Sequence, residues 1–137
     1  MSHLTRLSTS FQNLEYLEKS LNKLDVLNYR KEYGTVQNES MTQQNKLIIS
    51  QLNNFEFNWN GKEYELIGDF DLWSKPYSAD SFIQSIIPVY SEEAIVGEGR
   101  KLGFQPVEIK HNSDRSYTIR MERWNSNAVV KSKINYN

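Results

Sequence analysis

The chain has 137 residues, a formal net charge of −1 at pH 7 and no cysteine. The lack of cysteine excludes disulfides, thiolate metal sites and a cysteine nucleophile, and the near-zero charge excludes the global basicity of many nucleic-acid-binding domains. The length suits one domain with its own core, and no apolar run approaches the ~20 residues that a membrane-spanning helix needs.

The first third of the chain predicts a strand, a helix and two further strands. Residues 4–11 favour a strand, and Asn13 is a suitable N-cap for the helix that follows. The leucines at spacings of three, four and three share one stripe of this helix: Leu14, Leu17, Leu21 and Leu24. Residues 27–33 alternate as a strand does, and another strand begins at Leu47. Between them, residues 34–45 are predicted to form a mobile polar loop.

Asn60 and Gly61 predict a β-hairpin, because both tolerate the positive φ angles of a type I′ turn. A two-residue loop sets the expected register, with Trp59 opposite Lys62, Phe57 opposite Tyr64, and Phe55 opposite Leu66. The same register places the aromatic residues on the core face and the glutamates Glu56 and Glu65 on the solvent face.

A connection over residues 69–77 leads to a second helix, which Ser78 caps. Pro88 lacks an N–H, so this helix is predicted to break or kink there, and a further helical piece is expected from Ser91 to Gly103. Two strands around Ile109 and Ile119 then follow as a hairpin.

Strands and helices mix along the chain, which predicts an α+β fold: an antiparallel sheet with helices packed on one face, ferredoxin-like with an extra hairpin. Residues 1–124 are expected to form this single domain. Residues 125–137 are expected to be a flexible C-terminal tail.

The residue pattern favours no catalytic centre. Asp69 and Asp71 form a close carboxylate pair at strand spacing, and a hard cation could use them in a metal-assisted enzyme. Two polar residues leaving a strand explain the pair more simply. His3 and His111 lie at opposite ends of the sequence. We therefore expect no enzyme, no cofactor and no metal site.

Charge is segregated along the second half of the chain. Residues 61–98 contain eight acidic and two basic residues, whereas residues 99–137 contain three acidic and eight basic residues. If the basic residues share a face, they could follow a phosphate backbone with Trp124 as a stacking surface. The simpler reading is a hairpin whose charged outer face meets water. The candidate contacts for a partner or nucleic acid are Lys110, Arg115, Arg120, Arg123 and Trp124.

Three segments resemble the hypothetical chloroplast reading-frame family Ycf-thirty-five, in order and spacing as well as in sequence. They are the run from Trp59 to Leu66, the run from Leu102 to Phe104, and the run from Ile119 to Trp124. The start, Met1-Ser2-His3 before a leucine-striped helix, is also similar. The resemblance covers residues 1–124 and implies a protein of algal plastids or cyanobacteria. It implies no activity and no catalytic residues.

Taken together, these features predict a small non-enzymatic binding or accessory module of the chloroplast stroma, with an unknown protein partner and no membrane insertion. The alternative is an RNA-binding module that uses the basic C-terminal strands. No secretory signal is recognisable near Met1, so the protein is expected to work where it is made.

Overall fold

The computed structural model describes residues 4–32, 45–52, 55–114, 116–123 and 129–134. The chain divides into two compact units, Met1–Ile86 and Ile87–Asn137. The expected single domain over residues 1–124 stays a prediction. The expected mobile loop, residues 34–45, falls outside the described residues except for Asn45.

The first unit contains a five-stranded antiparallel sheet in the order β1-β5-β4-β3-β2. Its strands are β1 Thr5–Leu7, β2 Asn28–Glu32, β3 Asn45–Ile49, β4 Glu56–Trp59 and β5 Tyr64–Gly68. The α+β class with an antiparallel sheet is therefore confirmed. The ferredoxin-like detail is not confirmed, because β2 to β5 follow one another as a meander and β1 joins the far edge beside β5.

Helix α1, Leu14–Lys23, forms where the leucine stripe predicts it. The Asn13 side chain accepts a hydrogen bond from the Tyr16 N–H at 3.1 Å, which confirms the N-cap. Leu17 and Leu21 are fully buried, and α1 lies against β2 and β3. The helix thus covers one face of the sheet.

The hairpin between β4 and β5 has the predicted core face but a different register, and the face predicted to meet solvent is partly covered, since Asn58 and Ile67 on it are buried. Trp59 pairs with Tyr64, and Phe57 pairs with Leu66, so the expected register was wrong by two residues. The loop is longer than two residues because the Asn60 side chain accepts hydrogen bonds from the N–H groups of Lys62 and Glu63, both at 2.8 Å. A shift of two residues keeps each side chain on its face. Phe55, Phe57, Tyr64 and Leu66 are accordingly all buried.

An aromatic cluster closes the core at the end of β5. The Phe55 ring lies 5.2 Å from Phe70 and 5.1 Å from Trp73, and Trp73 lies 5.6 Å from Phe82. Phe55 also packs so closely on Gly68 that a Cβ atom there would lie 2.4 Å from the ring. Gly68 therefore permits the ring to sit directly on the strand.

Helix α2 runs without a break from Ala79 to Lys101 and includes Pro88, so the predicted break and the separate helical piece from Ser91 were wrong, whereas a kink at Pro88 stays a prediction. Ser78 caps it as expected, since its Oγ accepts a hydrogen bond from the Ser81 N–H at 3.1 Å. Pro88 supplies no N–H donor to the helix. At the same residue the Tyr117 hydroxyl donates to the Pro88 carbonyl at 2.6 Å, which joins this turn of α2 to β7. None of the described helices is long and apolar enough to span a bilayer.

The second unit contains a three-stranded antiparallel sheet, in the order β6 Phe104–His111, β7 Tyr117–Arg123 and β8 Val129–Ile134. A small core forms around the alternate β7 residues Tyr117, Ile119 and Met121, with Ile95, Val96 and Phe104 packed against them.

Part of the expected tail forms a strand. Val129–Ile134 pairs with β7 in a continuous antiparallel register. Pairing with a long neighbouring strand supplies the backbone hydrogen bonds that a short polar segment cannot make alone.

Candidate functional site

The basic residues predicted as contacts lie on the hairpin of β6 and β7. Lys110 is exposed on β6, and Arg120 and Arg123 lie on β7. Arg115 and Trp124 lie outside the described residues. Because side chains alternate along a strand, Arg120 and Arg123 are on opposite faces of the sheet. Lys110 is opposite Thr118, so it shares the face of Arg120, and the structure brings these two together while Arg123 lies on the other face.

Two carboxylates surround the Arg120 guanidinium. Its Nε lies 3.2 Å from Glu108 on β6, and its Nη1 lies 3.2 Å from Glu122 on β7 itself. An arginine paired in this way has less to offer a phosphate, because a new anion must compete with both carboxylates. The sequence alternation places Glu122 on the face of Arg120, but the contact with Glu108 depends on the register of the hairpin.

Arg123 has a different environment. Its guanidinium carbon lies 4.8 Å from the centre of the Phe104 ring, which is its cross-strand neighbour. A cation in this position is attracted by the negative face of the ring. The Arg123 guanidinium thus lies over the ring of a residue that packs against the small core.

The pairing of β8 with β7 adds basic positions that the sequence interpretation assigned to a tail. Lys131 is opposite Arg120 in the register, and Lys133 is opposite Thr118. The signal for this strand was present in the β-branched residues Val129, Val130 and Ile134. The polar residues Lys131, Ser132 and Lys133 interrupt this β-branched pattern.

The acidic pair Asp69 and Asp71 lies just beyond the end of β5, in a short 3₁₀ helix, Phe70–Leu72, and its cap. Asp69 accepts a hydrogen bond from the Asp71 N–H at 3.1 Å, so this carboxylate caps the turn. Since the strand ends at Gly68, the pair does not lie along one strand face as the sequence allowed. Within the described residues, no three His, Cys, Asp or Glu side chains form a group suited to a metal ion.

The edge strand β2 carries an exposed surface that the sequence interpretation did not single out. Leu27 and Tyr29 are 62% and 52% exposed, and Lys31 is exposed beside them. The Ser50 N–H donates to the Leu27 carbonyl at 2.8 Å, which extends the pairing of β2 and β3 to Leu27. The three side chains alternate in sequence and therefore share one face. We call them the β2 patch.

The β2 patch lies on the face of the sheet opposite α1. The intervening residues Asn28 and Arg30 face the helix, where Asn28 Nδ2 donates to Asn22 at 2.9 Å and Arg30 Nε donates to Glu18 at 2.7 Å. The hydrogen bonds to Glu18 raise the pKa of Arg30 above its usual value, although burial acts in the opposite direction. These contacts hold β2 on the helix and leave the β2 patch facing outward.

Polar groups elsewhere on this face are already engaged. Lys46 Nζ lies 3.1 Å from Glu56, which also accepts a hydrogen bond from Asn58 at 2.6 Å. Arg6 lies 3.5 Å from Glu65. By contrast, Lys31 makes no ion pair with any residue in the described ranges. The β2 patch therefore offers two apolar side chains and one cation to a ligand.

Comparisons with known proteins identify relatives over most of the chain. Residues 20–120 match a family described as protein of unknown function (DUF1257). An uncharacterized protein called ycf35 from Trieres chinensis is 46% identical over 122 residues, which cover 86% of this chain and 94% of that protein. The proteins of the same name from Cyanophora paradoxa and Guillardia theta are 32% and 29% identical, and each match covers 90% of this chain and 98% of the relative. No solved structure matches.

Proposed function

Since this chain belongs to the DUF1257 family of proteins of unknown function and resembles the ycf35 proteins, we propose that it is a non-enzymatic plastid protein that binds a protein partner. The chloroplast stroma is the compartment we propose. The resemblance of the sequence segments to the chloroplast reading-frame family is confirmed by these relatives and supports the plastid part of the proposal.

The β2 patch is the observation that carries this proposal. Leu27 and Tyr29 expose apolar area to water. Burial of that area in a complex stabilises the complex by roughly 25 cal/mol per Å². Lys31 adds a cation at the same edge. We therefore propose that the partner presents an extended segment with apolar side chains and a nearby carboxylate, added beside β2 as a further strand.

Asp69, one of the two carboxylates that could suggest an enzyme, caps a turn, and Glu108 and Glu122 pair with Arg120. These contacts account for the three carboxylates without a catalytic role.

Affinity capture from plastid extract with matched variants tests the proposal. The full chain, Leu27→Asp and Leu72→Asp are immobilised separately. Leu72 is a suitable control because it is 56% exposed on the 3₁₀ helix, away from the β2 patch. We expect a protein that the wild-type chain and Leu72→Asp retain and that Leu27→Asp loses. Retention of the same proteins by all three chains, or of none by the wild type, contradicts the proposal.

An RNA-binding module remains the second candidate, because the β8 register adds Lys131 beside Arg120. If RNA binds this face, Arg120→Ala should weaken binding and reduce its salt dependence, whereas Arg123→Ala on the other face should have little effect. Fluorescence anisotropy with a labelled single-stranded RNA over a salt series measures both. Equal effects of the two variants, or binding that does not change with salt, contradict this candidate.

A further inference from the structure

The strand β6 leaves one edge of the second sheet open. It is the outermost strand in the order β6-β7-β8, and its residues from Val107 to His111 are exposed. The Asn112 N–H donates to the Ser116 carbonyl at 2.8 Å, so these residues form a hydrogen-bonded pair next to the turn. Hydrogen-bonded and non-hydrogen-bonded pairs alternate along an antiparallel ladder. The N–H and C=O groups of Ile109 consequently point to the open edge.

The side chains around Ile109 have a distinctive order. Glu108 and Lys110 lie on one face of the strand, and Ile109 lies between them on the other face, opposite Ile119 of β7. Ile119 is fully buried, but Ile109 is 40% exposed because no described strand covers its outer side. The apolar row of the sheet therefore ends in a half-covered isoleucine.

We propose that two copies of this chain pair through antiparallel β6 strands about a twofold axis at Ile109. In this register, Glu108 of each copy is opposite the partner copy's Lys110, so the same ion pair forms twice. The two Ile109 side chains meet on the other face and cover each other. This proposal uses a different strand from the β2 patch and does not depend on the proposed function.

Neighbouring registers are less favourable for stated reasons. A twofold axis at Lys110 places the two lysines directly opposite each other, and an axis at Glu108 does the same with the two glutamates. Like charges in directly opposed positions destabilise a strand pair. An axis between two residues places side chains of opposite faces across from each other, which the pleat does not allow. Compared with these adjacent registers, the axis at Ile109 avoids both problems and also places Glu108 opposite Lys110 of the other copy.

Charge complementarity favours a second copy over an unrelated strand. Glu108 already contacts Arg120 at 3.2 Å but remains largely exposed, and the partner's Lys110 would place it between two cations. Lys110 makes no ion pair within the described part of the chain. Pro106 and the irregular register between Pro106 and Glu108 discourage other strands from pairing along the whole edge. The sequence around Ile109 is complementary to itself under a twofold rotation.

Sedimentation equilibrium of the full chain over a concentration series tests the charge argument. We expect the wild-type mass to rise toward twice that of one chain. Lys110→Glu should raise the dissociation constant by about tenfold or more, because both ion pairs become repulsive. The double variant Glu108→Lys with Lys110→Glu should restore dimerisation, since the charges are exchanged and still opposite. Lys62→Glu, at an exposed lysine of the β4–β5 loop, is the control and should leave the constant unchanged.

A disulfide test reports the register directly, because the chain has no cysteine of its own. Hydrogen-bonded antiparallel residues have Cα atoms about 5.5 Å apart, which suits a disulfide. Ile109→Cys should therefore give a covalent dimer under mild oxidation, at a rate well above that of Leu102→Cys, which exposes a thiol outside the paired segment. A wild-type chain that stays monomeric throughout, a Lys110→Glu dimer as stable as the wild type, or equal crosslinking of the two cysteine variants would overturn the proposal.

Discussion

Gly68→Ala should destabilise the protein, although alanine is usually tolerated in a strand. A Cβ atom at this position would lie 2.4 Å from Phe55 Cδ1 and 2.6 Å from Cε1. Carbon atoms prefer separations of about 3.5–4.0 Å, so the Phe55 ring would have to move by about 1 Å. The ring is fully buried and packs against Phe70 and Trp73, which restrict that movement.

The magnitude follows from two opposing effects. Overpacking of a well-packed core costs about 1–3 kcal/mol. Replacement of glycine by alanine also restricts the unfolded chain, which stabilises the folded protein by about 0.4–1 kcal/mol. We therefore expect a net loss of about 1–2 kcal/mol. With a urea dependence of about 2 kcal/mol per molar, in the middle of the usual range, the unfolding midpoint should fall by about half to one molar.

Urea unfolding followed by tryptophan fluorescence measures this change, because Trp73 contacts the Phe55 ring. Gly99→Ala is the matched control. Its Cβ atom would meet Met121 Cε at 2.5 Å, but this is the end of a flexible side chain, and alanine is favoured over glycine in a helix by about 1 kcal/mol. We expect Gly99→Ala to be neutral or stabilising.

A double variant identifies the cause. Phe55→Leu removes ring atoms that the new Cβ would meet, so Gly68→Ala should cost less in that background than in the wild type. A Gly68→Ala protein as stable as the wild type, or the same cost in both backgrounds, would show that the close approach of Phe55 to Gly68 does not limit the packing of this core.

Two further substitutions test single hydrogen bonds. Tyr117→Phe removes the donor to the Pro88 carbonyl and should lower the free energy of unfolding by about 1 kcal/mol, measured by urea unfolding; an unchanged midpoint would show that other contacts keep α2 continuous. Asn13→Ala removes the cap of α1 and should also cost about 1 kcal/mol, whereas Asn13→Asp should retain most of the stability because a carboxylate can accept the same bond; equal losses for both would contradict the capping role.

The sequence could predict features that depend on neighbouring residues. The leucine stripe and Asn13 predict α1, Ser78 predicts the start of α2, and the alternation around Ile119 predicts β7. Each of these depends on a period or a cap within one segment. The burial of Phe57 and Tyr64 on one face was also predictable, because it depends on the two-residue period of a strand.

The candidate surfaces were less predictable, because they depend on contacts between residues that are far apart in the sequence. The pattern of charges along β6 and β7 identifies Lys110, Arg120 and Arg123 as basic, but it does not tell which carboxylates lie opposite them. Glu108 reaches Arg120 through a register that includes an irregularity after Pro106. The exposure of Leu27 likewise depends on which side of the sheet α1 covers.

What the sequence by itself determined is the set of elements, their apolar faces and the α+β class, since these follow from local periodicity. The tertiary structure alone decided the hairpin register, the continuity of α2 through Pro88 and the pairing of β8. Each depends on a balance between a local preference and contacts with distant residues. A slip of two residues keeps every side chain on its face, and one missing N–H costs less than a packed helix gains, so local patterns cannot settle either question.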